Sequence, residues 1–328
     1  MLTRRLAPAA TAVFWVAVFF ILTFLIRTLL KMQGGIYMQM LVNGLSLGSM
    51  YALIAIGYTM VYGILRMINF AHGDIFMMAC YFIFYGVTLF MLPWYIAFPA
   101  AILVTAVLGA IIERFAYRPL RNAPKNSILI SAIGVSFLLE NLATYIFSGV
   151  PKDFPNIAVF SGTFNIAGIM IDTISAIIPF VTVALLIILL YLINHTKTGM
   201  AMRAVSKDFE IAKVMGVPIN RIITSTFVVG SSIAAIGAFM WGVKYPGISP
   251  MMGVMPGLKC FIAAVIGGIG NIKGAVVGGL LLGFGEIVIV SFFPQLSGYR
   301  DAFAFVILII ILLSKPTGLL GEKATEKV

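Results

Sequence analysis

Charge is the scarcest ingredient of this chain. Acidic and basic side chains make up 10% of its 328 residues while 61% are hydrophobic, and the mean hydropathy is +1.09; soluble domains are roughly one quarter charged. That balance excludes a water-soluble fold. Cysteine is nearly absent too. Cys80 and Cys260 stand far apart inside apolar runs, so neither a disulfide framework nor a metal site is implied and both read as small core residues. No lysine follows a glycine anywhere, which removes the Gly-Lys-Ser/Thr core with which a Walker A loop cradles nucleotide phosphates. The chain therefore carries no P-loop of its own. No serine or cysteine nucleophile stands with a base at usable spacing, so no catalytic residue and no metal ligand is assigned and the chain reads as a non-enzyme. The formal charge of +11 would point to nucleic acid in a soluble protein, but here its placement along the chain carries the information, and no nucleic-acid partner is expected.

Long apolar segments are plentiful instead. About 20 apolar residues cross a bilayer, so a chain of this length allows about 8–10 crossings in an all-α integral membrane bundle. Arg4 and Arg5 precede an apolar run from Pro8 to Leu30. That run is longer than the roughly 7–15 residues of a signal-peptide core and no A-x-A-like site follows, so a retained first helix is expected over residues 1–36. The main membrane domain is then expected over 37–314 and a polar tail over 315–328. Neither Met32 to Leu65 nor Ile75 to Ile112 contains a charged residue; the first should hold one helix and the second two, turning at Pro93. Further spans are expected over 127–148, 173–194 and 222–243. Lys259, Lys273 and Glu286 interrupt the apolar pattern after Leu258, which predicts a short, re-entrant segment, then a full helix from Gly274 and a final one over 299–314.

With both ends of the chain on one side, 16 of the 22 Lys and Arg residues fall on that side and six, Arg27, Lys31, Lys152, Lys244, Lys259 and Arg300, on the other. The positive-inside rule then puts both termini in the cytoplasm.

The longest loop on the basic side, residues 199–218, holds a full set of helix punctuation. Ser206 can cap a start, Asp208 and Glu210 suit the positive end of a helix dipole, Lys213 suits the negative end, Gly216 suits a left-handed C-cap and Pro218 stops continuation. These predict a surface helix of about ten residues. Phe209, Ala212 and Met215 form an apolar stripe suited to a partner's groove, or to a bland connecting helix lying on the membrane.

Residues 57–74 pack Arg66, Asn69, His72 and Asp74 between two spans, with Gly63 and Gly73 as places for a helix to break. Irregular backbone at membrane depth is tolerated where protein buries it or water lines it, so the segment either borders a pathway or is a tight turn in which Asp74 meets Arg66 or His72. Asn43, Asn69, His72, Asp74, Glu140 and Glu286 are the candidate pathway residues. Glu140 and Glu286 lie inside spans, where a charge is costly and faces the bundle interior; each serves substrate ammonium or a helix contact equally well. Gly270, Gly274 and Gly278, with Gly279 and Gly283, recur every fourth residue and make a ridge without side chains for close helix packing.

Several motifs stand in order: NGLSLGSMYALIAIGYTMVYGILRMINFAHGD over 43–74, ERFAYRPL over 113–120, ISAIG over 130–134, AAVIGGIGNIKGA over 263–275 and KPTGLLG over 315–321. Together they resemble the LivH-type permeases of branched-chain amino acid ABC importers, over about Met38 to Val328. The resemblance implies import of Leu, Ile and Val across a bacterial cytoplasmic (inner) membrane. It also implies a complex with a second related permease, two cytoplasmic ATPase subunits that bind the ATP and Mg, and an extracytoplasmic substrate-binding protein; this chain would hold no cofactor. In such permeases residues 203–217 would form the coupling helix to the ATPases, with Arg203, Lys207, Asp208, Phe209, Glu210, Ala212 and Gly216. Related permeases carry other amino acids or urea, which keeps those substrates open. The rival of a different class is an ion-coupled secondary transporter using Glu140 or Glu286 as its ion site. A channel is disfavoured, since no filter-like run or ring of charges appears.

Overall fold

A computed structural model describes residues 23–24, 34–121, 123–166 and 168–321. The helix expected over 1–36, with Arg4, Arg5, Arg27 and Lys31, and the tail beyond 321 therefore lie almost wholly outside the described residues. The described residues are predominantly helical, with short strands at one end. Seven of its helices are long and apolar enough to cross a membrane. It is an all-α polytopic membrane protein.

The first described helix, α1 (Gly34–Leu65), has 32 residues without a charge and runs about 48 Å, well beyond the roughly 30 Å hydrocarbon core. It ends at Arg66, which adopts a left-handed φ of 53°. The break expected at Gly63 thus falls three residues later. Gly63 stays helical, and its bare face lies against the backbone of Gly270, 3.5 Å from where a Cβ would stand. The chain then turns back along α1, and α2 (His72–Thr88) begins beside Gly57, whose Cβ position lies 3.1 Å from the His72 ring. α2 therefore starts about 12 Å short of the α1 terminus. Its Gly73 is inside the helix and is not a break.

Pro93 opens α3 (Trp94–Ile112), continued by a π-helical turn over Glu113–Tyr117, so the turn at Pro93 is where the sequence placed it. α4 (Lys125–Phe147) crosses next. At the far end of α4, β1 (Lys152–Asp153) pairs antiparallel with β4 (Gly247–Ile248), Lys152 opposite Ile248. A hairpin of β2 (Thr163–Ile166) and β3 (Ile169–Asp172) turns at Gly168, whose φ is 84°. α5 (Thr173–His195) returns through the bundle to two short helices, α6 (Lys197–Lys207) and α7 (Phe209–Val214). α8 (Ile219–Lys244) crosses again. The expected short segment is α9 (Val254–Gly267), followed by α10 (Ile272–Phe292), a 3-10 turn over Pro294–Tyr299 and α11 (Arg300–Ser314).

The core gathers where α1 and α8 cross α2, α3 and α10, around the fully buried Tyr51, Phe76, Tyr81, Phe227 and Phe239. α4, α5 and α11 lie outside it, with Phe137, Leu138, Ile187, Ile188 and Ile310 exposed, as expected of surfaces that meet lipid or another subunit.

The glycine ridge divides by face. Gly274 and Gly278 press on the backbone of Gly267 and Ala263 in α9, while Gly279 and Gly283 press on Ala52 and Gly48 in α1. Gly270 precedes the helix in a turn at φ 89°. The i, i+4 spacing packs one helix against two neighbours, since consecutive glycines at 278 and 279 point about 100° apart.

Candidate functional site

Polar side chains inside this bundle form separate groups. The first is a charge cluster. Lys259 of α9 lies 2.9 Å from Glu286 of α10 and 2.7 Å from Asp301 at the start of α11, with Arg300 3.5 Å from Glu286. The Tyr51 hydroxyl donates to Glu286 at 3.1 Å and accepts from Lys259 at 3.2 Å. Lys259 and Glu286 are 5% and 1% exposed. Lys259, counted with the minority-side cations, is thus not a loop cation: two carboxylates hold its ammonium inside the bundle. Glu286 likewise has matched cations, Lys259 and Arg300, which make it a contact between helices.

The second group is the turn between α1 and α2. Tyr117 donates to the side-chain amide oxygen Oδ1 of Asn69 at 2.7 Å, and the His72 ring sits edge-on to Tyr58, ring centroids 5.8 Å apart. Asp74 accepts from the Ser136 hydroxyl of α4. Arg66 instead donates to the Ser206 carbonyl at 3.1 Å, so the expected tie between Asp74 and Arg66 or His72 does not form. Arg66 caps one end of the bundle while Asp74 starts a helix well inside it. Asp74 and Glu140 line one cavity. Asn43 stands apart from both groups. It accepts from Gln39 at 3.2 Å, and Gln39 in turn exchanges two hydrogen bonds with the Met170 backbone of the hairpin. Fourteen residues of continuous helix, about 21 Å, separate Asn43 from Gly57. The six pathway candidates thus occupy four places, and only Asp74 and Glu140 share a cavity.

The third group is the elbow of α6 and α7. Thr196 caps α6 by accepting from the Gly199 N–H at 3.0 Å, and Arg203 donates to the Ile193 carbonyl at 2.7 Å, pinning the elbow to the end of α5. Asp208 caps α7, accepting from the Glu210 and Ile211 N–H groups at 3.0 and 3.1 Å. Ser206 does not cap; its hydroxyl donates to the Arg203 carbonyl. The surface helix consequently begins at Phe209 and has six residues, where about ten were expected. Gly216 takes the expected left-handed φ, 79°. The apolar stripe is corrected as well: Phe209 is half-buried and Ala212 buried, while Ile211, Val214 and Met215 are 62%, 86% and 77% exposed. Met215 lies past the last helical residue, so it no longer shares a face with Phe209. Lys207, Glu210 and Lys213 are exposed beside it.

An open groove of about 1560 Å³ runs alongside α7, lined in part by Arg118, Arg121, Lys213 and Arg221. Its floor is tied by Glu113, fully buried, which accepts from Arg121 at 2.7 Å and from Thr224 at 2.7 Å. Arg121 also donates to Asn220. Burial draws the Arg121 guanidinium below its ordinary value and the Glu113 carboxylate beside it pulls it back up. Neither Glu113 nor Arg121 was singled out as a site residue, although both fall in or next to the ERFAYRPL run.

A family model described as "Branched-chain amino acid transport system / permease component" matches residues 40–312. The chain is 43% identical over 306 residues to the high-affinity branched-chain amino acid transport system permease protein BraD of Pseudomonas aeruginosa, covering 89% of this chain and 98% of that one. It is 39% identical over 305 residues to the permease protein LivH of Escherichia coli K12, with the same coverages. Among solved structures, PsaBC from Streptococcus pneumoniae in complex with Fab aligns over 86% of this chain and 92% of that one, at 17% identity and a TM-score of 0.44.

Proposed function

The chain belongs to the family of branched-chain amino acid transport permeases, and from that membership we propose that it is the permease subunit of an ABC importer for leucine, isoleucine and valine. As a permease it is a membrane-embedded transport subunit and not an enzyme. ATP hydrolysis is assigned to two cytoplasmic ATPase subunits, translocation to this chain paired with a second related permease, and substrate capture to an extracytoplasmic binding protein. The membrane is the bacterial inner membrane, with the α6–α7 elbow and both chain ends in the cytoplasm.

The observation that carries the reading is the exposed apolar tip of α7. Ile211, Val214 and Met215 project from an elbow that Thr196, Arg203 and Asp208 hold by hydrogen bonds, next to a groove lined with arginines. A rigid, capped element presenting apolar side chains is what a groove-binding partner requires, and a chain without its own P-loop requires such a partner to use ATP. The test is reconstitution. The chain, co-expressed with its partner subunits and placed in proteoliposomes, should accumulate leucine only with internal ATP and external binding protein. Uptake that follows a proton gradient and proceeds without the partners would refute the importer role in favour of ion coupling.

A further inference from the structure

A cavity of about 190 Å³ lies between α1, the start of α2, α4 and α9. Both α2 and α9 are shorter than the roughly 20 residues needed to span, and they meet backbone to backbone: Gly73 touches Gly253 and Gly257, the Gly257 Cβ position lying 2.9 Å from the Gly73 Cα. Helix starts at membrane depth leave a gap beside them, and here it is walled by Tyr58, Leu258 and Phe261 on one side and by Glu140 and Ser136 of α4 on another. Two carboxylates, Asp74 and Glu140, border it. Asp74 is 2% exposed, and among the described residues no lysine, arginine or histidine stands within ion-pair distance of either carboxylate. This contrasts with Glu286 and Glu113, each buried with a cation. Tyr58 is 3% exposed, and its hydroxyl makes no hydrogen bond of good geometry, with the Asn69 backbone as a polar neighbour.

A buried carboxylate without a cation is expensive, and a buried hydroxyl that meets only the Asn69 backbone, with no acceptor for its own proton, adds to the cost. One kind of guest relieves both costs: a small molecule with an ammonium for the carboxylates, an acceptor for the Tyr58 hydroxyl and an apolar body. The volume falls below the roughly 300–1,000 Å³ of drug-sized pockets, which restricts the guest to a small metabolite. We propose that this cavity is a substrate station of the permease, in which Asp74 and Glu140 receive the primary ammonium of an aliphatic amino acid and Tyr58, Leu258 and Phe261 receive its side chain. The station deepens the importer reading and rests on it. It also separates these two carboxylates from Glu286, which holds helices together.

The test uses the assembled importer in proteoliposomes. ATP-driven leucine uptake by the unmodified complex establishes the underlying reading on its own, whatever the variants do. Ile133→Cys places a thiol on the cavity wall, and Cys80 and Cys260 are fully buried, so a cationic methanethiosulfonate should react at position 133. Saturating leucine should slow that reaction about fivefold or more, by mass action on the occupied cavity. Glu140→Gln should lower the leucine uptake rate by about tenfold or more, the scale of one lost charge-assisted hydrogen bond, with the second permease still co-purifying. Asp74→Asn should act in the same direction; if it fails to assemble, Glu140→Gln, on a half-buried position, still decides. Leucine that leaves the thiol reaction unchanged, or Glu140→Gln uptake equal to the unmodified complex, would overturn the station. Loss of the second permease from the Glu140→Gln complex would also overturn it and reassign the carboxylates to a contact between subunits.

Discussion

Lys259 shows how much of a residue's role is set by what folds onto it. In the sequence it interrupts an apolar run and looks like an interfacial lysine, because its partners lie 27 and 42 positions away in Glu286 and Asp301. Nothing local announces either contact. The Asp74–Ser136 hydrogen bond was equally invisible, joining α2 to α4 across 62 positions. What could be read was the expense: a carboxylate inside a span must be compensated, which marked Glu286 and Glu140 without naming what compensates them. Lys259→Met should therefore destabilise the protein strongly, by about 3–5 kcal/mol, because it strands a buried carboxylate. Lys259→Met combined with Glu286→Gln should recover most of that loss. Thermal unfolding of the detergent-solubilised protein measures both, and a double variant no more stable than the single one would mean that the two charges are not coupled.

Among elements, the α6–α7 elbow was legible in kind and wrong in detail. Gly216 and Pro218 correctly marked where it stops, since a left-handed φ and a missing N–H are local properties of those residues. The start is harder to place because two cap residues compete: Ser206 lies inside the reach of α6, whose last turn claims its hydroxyl through the Arg203 carbonyl, leaving Asp208 to cap α7. That choice rotates the exposed face onto Ile211 and Val214. Ile211→Asp combined with Val214→Asp should accordingly abolish leucine uptake and detach the ATPases, while the permease stays in the membrane at normal level. Asp208→Ala should act more mildly, costing about 1 kcal/mol of cap, and Gly216→Val should cost a similar amount through backbone strain. Co-purification of the ATPase subunits with each variant ranks them. Equal retention of the ATPases by the double aspartate variant would rule out α7 as the docking element.

For the whole molecule, charge-free stretches located the spans because a bilayer imposes its own length and polarity on every helix that crosses it. The broken paths at α2 and α9 obey a different constraint. They are permitted because neighbouring backbone covers them, and the cover comes from glycines whose contacts cannot be ranked from spacing alone. Two glycine substitutions separate these cases. Gly279→Val would drive a side chain into the Ala52 backbone, whose nitrogen is 2.5 Å from the Cβ position, and should cost at least about 1–3 kcal/mol by overpacking. Gly134→Ala, with nothing within 4 Å, should be neutral or raise helix stability by about 0.5–1 kcal/mol. The proposed orientation rests on charge in the same global way. Leaving the buried Lys259 out of the loop cations makes the bias toward the elbow side larger, and Arg66, Arg118, Arg121 and Arg203 all stand at that end of the bundle. A membrane-impermeant maleimide should then label Ser161→Cys, exposed just before the hairpin, in intact cells. Lys207→Cys, exposed on the elbow, should react only after the membrane is opened, as the proposed cytoplasmic elbow requires. Labelling in the reverse order would turn the molecule over and, with it, put the α7 tip on the side that has no ATP.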